Sequence, residues 1–272
     1  RANGILNMTT NVAIITGMLI AGIVSDQLQK KTESVFEMWL PGIVLTGVAV
    51  IGLLAIVWLP KLMPMEPRTR LPLNPFATYI STGREMCSSM LMRVAVAWAS
   101  FYLLATIVLL LVTELGLILH VNDTKVSYLL ASIGISVGLG SLLAGFLSRG
   151  CIRLRLSKIG ALGMAASMLL AGLAPISYTM TLICLVFLGL FAGLYAVPLQ
   201  SLMQMLPLPE RRGRVLATSN AMSFLFMAIG SLLYWATRPL FGDSPHYIFL
   251  ACAVVGFCAW LITITIRKHD LD

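Results

Sequence analysis

The sequence predicts an all-α membrane protein. Three observations lead there: charged residues are scarce, apolar residues recur in long runs, and the basic residues gather in alternate segments between those runs. At 58% hydrophobic and 11% charged, against roughly a quarter charged in soluble domains, the chain cannot clothe itself in a water-facing surface. The net charge of +8 raises nucleic acid as a partner. The Lys and Arg residues, however, stand in short clusters between apolar stretches, which is the pattern of membrane orientation. No nucleic-acid partner is expected.

Taken in order, the apolar runs cover residues 5–24, 39–59, 90–112, 126–147, 159–176, 180–205, 215–236 and 247–266. Each suffices for a helix crossing about 30 Å of hydrocarbon, which takes about 20 residues at 1.5 Å rise. Eight transmembrane helices are therefore expected. The first run has no basic leader and no small-residue cleavage site, and it follows Arg1 rather than a Met, so the chain is read as starting inside a longer protein. The five cysteines, Cys87, Cys151, Cys184, Cys252 and Cys258, form no CxxC pair and are expected as small buried hydrophobes.

Orientation follows from the loops. With the N-terminus inside, the inner segments carry Arg1; Lys61, Arg68, Arg70 and Arg84; Arg149, Arg153, Arg155 and Lys158; Arg211, Arg212 and Arg214; and Arg267 and Lys268. The outer segments carry only Lys30, Lys31, Lys125 and Arg238. This bias places both termini of the chain in the cytoplasm.

The segment between the second and third runs is the longest connection. Pro60, Pro64, Pro67, Pro72 and Pro75 bar a regular helix from its first part. After Pro75, residues Phe76, Tyr79, Ile80, Met86, Cys87 and Met90 fall on one helical face, with Thr78, Ser81, Arg84 and Glu85 elsewhere. That pattern fits an amphipathic helix lying on the inner membrane surface, or an extension of the third span.

The first and seventh runs share a pattern. Arg214, Asn220 and Gly230 are echoed by Arg1, Asn7 and Gly17, each pair 213 residues apart. The two copies stand six spans apart, and the long connection follows the second span. Twelve-helix transporters of the major facilitator superfamily have two six-helix halves joined by a long cytoplasmic loop. The eight runs then correspond to helices 5–12 of such a protein: residues 1–60 end the first half, 61–89 form the central loop with its amphipathic helix, and 90–272 form the second half. With only two of the first half's helices, the chain alone is not expected to transport.

Four stretches, RANGILNMTTNVAIITGMLIAGIVSD at the start, WLPKLMP before the long loop, and YAVPLQSLMQ and ATSNAMSF further on, resemble the corresponding parts of bacterial lysophospholipid transporters. The resemblance is patchy and clearest over residues 1–26 and 194–224. It implies passage of lysophospholipids through the bacterial inner membrane for re-acylation, with membrane lipids as surroundings and an acyltransferase as partner, since some relatives are fused to one. The superfamily's loop of a glycine, an acid and several basic residues survives as GFLSRGCIRLRLSKIG, with Ser148 and Arg149 where the acid belongs. That departure implies less reliance on a charge relay at this gate. Two rival readings stand beside it: a carrier for another small solute or drug, and a membrane anchor for a partner acyltransferase. A cavity open sideways to lipid favours the amphiphile carrier, and an anchor needs no polar cavity.

Substrate-contacting candidates are the polar residues inside spans. Arg93 lies about a turn from the inner end of its span, where it either snorkels to the headgroups or anchors a phosphate or carboxylate. Tyr195, Gln200 and Gln204 share a span with Pro198, which removes a backbone hydrogen bond; such helices line cavities, though a packing kink with bonded glutamines reads equally well. Asn220, with Ser219 and Ser223, and Asn7, with Thr10 and Asn11, hold equivalent places, lining a shared cavity or bonding helix to helix. Glu114, at the outer end of its span, is expected to be solvated. Gly134, Ser136, Gly138, Gly140 and Ser141 give the fourth span a small-residue face suited to close packing.

No catalytic constellation emerges. His120 and Asp123 are three apart, not at acyltransferase spacing; His246 and His269 lack partners at metal-ligand spacing, and there is no GxSxG elbow or phosphate-cradling loop. Neither enzymatic activity nor a cofactor or metal is expected.

Overall fold

The computed structural model describes residues 13, 16–17, 19–21, 23–24, 39–58, 74–87, 89–148, 151–242 and 244–266. Asn7, with Arg1, Thr10 and Asn11, lies outside the described residues, as do Arg149 and most of the first apolar run.

The helices are α1 (Trp39–Val57), α2 (Pro75–Cys87), α3 (Met90–Ile118), α4 (Asp123–Ser148), α5 (Leu154–Leu173), α6 (Tyr178–Met205), α7 (Arg212–Thr237) and α8 (Ile248–Thr265). Two 3₁₀ turns, Arg238–Phe241 and Pro245–Tyr247, join α7 to α8. Six helices among the described residues are long and apolar enough to cross a membrane, α3 to α8, and the chain is a multi-pass membrane protein. Of the eight expected spans, the six from residue 90 onward therefore have counterparts here, with α1 a shorter apolar helix.

The spans overrun the apolar runs at several ends. α3 continues six residues past Val112, taking in Glu114, because a helix satisfies its own backbone in the interfacial layer where polar side chains are tolerated. Asp123 opens α4, where an acid favours the helix dipole. The Asn122 side chain also accepts from the Lys125 amide at 3.3 Å. His120, in the α3–α4 turn, has φ of 49°, a left-handed conformation that fits a tight reversal. At the start of α6 the Ser177 hydroxyl caps the Met180 amide at 3.3 Å.

The principal pairings are α4 with α6, α5 with α6, α3 with α7 and α5 with α8, while α3 and α4 touch only sparsely. α1 makes no comparable pairing, and Ile43, Leu45, Ile51 and Leu54 on it are exposed. The core forms where α3, α5, α6 and α8 converge, around Leu111, Leu115, Met164, Met168, Leu185, Leu199 and Phe249. Apolar burial alone cannot drive helices together inside lipid, so contact relies on close van der Waals fit and small residues. The α4–α6 seam shows this. A Cβ on Gly189 would lie 2.7 Å from the Ile133 carbonyl oxygen, and one on Gly140 would strike the backbone of Leu190. The small face of the fourth span thus serves packing at Ser136 and Gly140, whereas Gly138 faces open space. Gly230 sits 2.8 Å, at its missing Cβ, from the Leu103 carbonyl oxygen of α3, while Gly17 has nothing within 4 Å.

Two expectations change. Of the cysteines, Cys184 and Cys252 are buried but Cys87, Cys151 and Cys258 are exposed; in a membrane helix an exposed thiol such as Cys258 can face lipid, so apolarity does not entail burial. The apolar stripe of α2 is also split. Met86 turns inward with Thr82, and Met90 follows it, while Phe76, Tyr79, Ile80 and Cys87 stay exposed. α2 is a helix separate from α3 and docks on α7 as well as α3, so its inward face is chosen by those neighbours.

Candidate functional site

Consecutive spans alternate in direction, so the bundle has two ends. At one, the N-terminal turn of α3 meets the C-terminus of α8: Arg93 Nη1 donates to the Thr265 carbonyl at 2.6 Å. A cation there also complements the negative end of the α8 dipole. At this end Glu85 of α2 forms ion pairs with Arg211 and, at 3.7 Å, with Arg214. Arg211 and Arg214, at the N-terminal end of α7, are thus engaged by α2.

Tyr195 lies deeper and is fully buried. Its hydroxyl donates to the Ala97 carbonyl, lies 3.4 Å from Ser100 Oγ, and its own carbonyl accepts from Ser157 Oγ at 3.1 Å. The side chain therefore ties α3 to α6, and the backbone ties α6 to α5. Pro198, three residues on, is buried within α6 and leaves the Leu194 carbonyl without its usual helical donor. Gln200 and Gln204 follow on the last two turns, both half-buried. Asn220, about 12 Å into α7 at 1.5 Å per residue, is exposed, whereas Ser219 and Ser223 turn into the bundle and bond their own helix. The structure thus gathers Arg93, Gln200, Gln204 and Asn220 into the half of the bundle nearest the arginine-rich end, and puts Tyr195 into its packing.

Sequence reasoning missed three features. The first is the group at the opposite end, where Glu114 of α3 accepts from the Tyr234 hydroxyl and from Arg238 Nε. Arg238 also donates to the Gly242 carbonyl at 2.6 Å. Glu114 is therefore partnered and half-buried rather than solvated, the correction arising because α7 brings a cation to the same depth. One signal was available: Arg238 is a basic residue on the basic-poor side, and Glu114 is an acid at the same level. The second is the Glu85 clasp, whose members lie 126 residues apart for Glu85 and Arg211.

The third is an apolar chamber of ≈170 Å³ where α3 and α4 diverge, backed by α5 and α6. Phe101, Leu104 and Val108 of α3 face Ile133, Gly134 and Val137 of α4, and Met164, Met168, Leu188 and Ala192 close the rear. Ala105 and Leu109 are exposed at its mouth. At the chamber's edge nearest Arg93, α3 carries the aromatic group Trp98, Phe101 and Tyr102, with ring centroids 5.3–5.8 Å apart. Along α3, Arg93 and Leu104 are about 16 Å apart at 1.5 Å per residue.

Among the described residues no group of three or more His, Cys, Asp or Glu could hold a metal ion. Compared with known families, the chain matches the model of the Major Facilitator Superfamily twice, over residues 1–230 and 90–271. No curated protein matches it.

Proposed function

Because this chain belongs to the Major Facilitator Superfamily, whose members are transporters and not enzymes, we propose that its cargo is a lysophospholipid, moved across a bacterial inner membrane for re-acylation by a partner acyltransferase. The observation that carries this reading is the apolar chamber standing about 16 Å along α3 from Arg93. A polar solute gains nothing from such a chamber, since every polar group placed there would lose its hydrogen bonds. An amphiphile needs both a polar level and an apolar one at about a chain's length, and Arg93, Gln200, Gln204 and Asn220 supply the polar level. An anchoring protein requires neither.

In this reading residues 1–60 close the first six-helix half, 61–89 form the central loop and 90–272 form the second half, with both chain termini in the cytoplasm. Asn7 is proposed as the first-half counterpart of Asn220. Tyr195 contributes by holding α3 and α6 together next to the glutamines.

The test is uptake of labelled lysophospholipid into right-side-out vesicles from cells expressing the complete reading frame that contains this chain. Saturable uptake, competed by unlabelled lysophospholipid and lowered by Asn220→Ala or Gln204→Ala, is the expected result. Uptake no different from vesicles lacking the protein would refute the reading.

A further inference from the structure

The α3–α4 chamber has a size and a chemistry that narrow its occupant. Its lining offers no charged or hydrogen-bonding side chain, so water and headgroups are disfavoured there. Its ≈170 Å³ is close to the ~150 Å³ that accommodates a six-carbon ring in an apolar protein cavity. That is room for about six carbons of one chain, and not for two chains side by side. Leu104, on its wall, lies midway along α3, the level at which a bilayer holds only hydrocarbon. Met164 and Met168, a turn apart on α5, supply flexible thioether side chains at the rear that can repack around a chain of varying position.

We propose that the chamber binds the hydrocarbon chain of a single-chain amphiphile, entering between Ala105 and Gly134, and that Met164 and Met168 meet the chain's far carbons. This rests on the amphiphile reading above. The chamber takes one chain at a time, so a two-chain lipid would have to leave its second chain outside the mouth at Ala105 and Leu109.

The experiment uses the full-length protein in lipid nanodiscs with a lysophosphatidylethanolamine carrying a diazirine near the end of its chain. Irradiation and peptide mass spectrometry should place adducts on the Met164–Met168 segment. Unlabelled lysophosphatidylethanolamine should compete at least tenfold better than the diacyl lipid, and Ala105→Phe, a change at the exposed mouth that leaves the core untouched, should reduce the adduct about tenfold. Equal competition by the diacyl lipid would mean the chamber holds ordinary membrane lipid, and adducts confined to other segments would mean a protein side chain fills it; either overturns the inference. Competed labelling without vesicle uptake would sink the transport reading and leave the chain site standing, whereas uptake with no labelling at this segment would do the reverse.

Discussion

The carboxylate of Glu114, one turn from the end of α3, accepts from Arg238 Nε just beyond the end of α7. The pair is about a quarter exposed, at 31% for Arg238 and 21% for Glu114, so water screens it only in part. Arg238→Ala strands a half-buried carboxylate and should cost about 1–2 kcal/mol, between the values of surface and buried pairs. Glu114→Gln keeps an acceptor for Tyr234 and should cost less. Thermal unfolding in detergent should also find the double variant no less stable than Arg238→Ala alone, because the stranded charge is gone. Additive losses would show the two residues to be independent.

The same geometry bears on energy coupling. Among the described residues, the acids of the six long helices are Glu114 and Asp123, both near helix ends, and Glu114 is already held by two donors. Proton-driven carriers place a titrating group within a span, where its change of charge drives the cycle. Glu114→Gln in the full-length protein should therefore leave the gradient-dependent fraction of lysophospholipid uptake unchanged when vesicles with and without an uncoupler are compared. Loss of that fraction alone would make Glu114 the coupling group.

Two glycine substitutions should have opposite outcomes. Gly189→Ala places a methyl 2.7 Å from the Ile133 carbonyl oxygen, which is backbone and cannot step aside, so α4 and α6 must part. A loss of about 1–3 kcal/mol is expected, the usual cost of overpacking. Gly138→Ala meets nothing within 4 Å and should be neutral or stabilise by up to about 1 kcal/mol through helix propensity. Melting temperatures of the two purified variants decide the matter, and similar shifts would mean that the seam is looser than it stands here.

Sidedness can be read from a native thiol. Cys151 is exposed in the connection between α4 and α5, amid Arg149, Arg153, Arg155 and Lys158. With the other four cysteines replaced by Ala or Ser, an impermeant maleimide should label it in inverted vesicles and not in intact cells. A cysteine introduced near Gln27–Lys31 should show the reverse. Labelling of Cys151 from outside would invert the whole topology.

The spans were legible because membrane helices announce themselves by composition over about 20 residues, a signal that needs no partner. Their ends were less so, since α3 runs on through Glu114 into a region where hydropathy no longer discriminates. α2 was legible as a helix from Pro75 and the polar spacing, but its inward face depended on α7, which no local pattern encodes. Tyr195 looked like its neighbours Gln200 and Gln204, yet one carbonyl, at Ala97, draws it into the core. The chamber was invisible because it is a gap between diverging helices, and its lining residues read as ordinary core or lipid-facing positions.

The two ionic ties impose a schedule on synthesis. Glu85 precedes Arg211 by 126 residues and Glu114 precedes Arg238 by 124. At 5–20 residues per second on the ribosome, each acid waits roughly 6–25 s for its arginine. During that interval α2 has no α7 to dock on, and α3 must sit in the bilayer with the Glu114 carboxylate unpaired, held near the surface by its place at the helix end. The last span but one therefore fastens both ends of the bundle in a single event, so a nascent chain halted before α7 would leave Glu114 without its Tyr234 and Arg238 donors and α2 without α7 to dock on, a form that membrane quality control could distinguish from the finished protein.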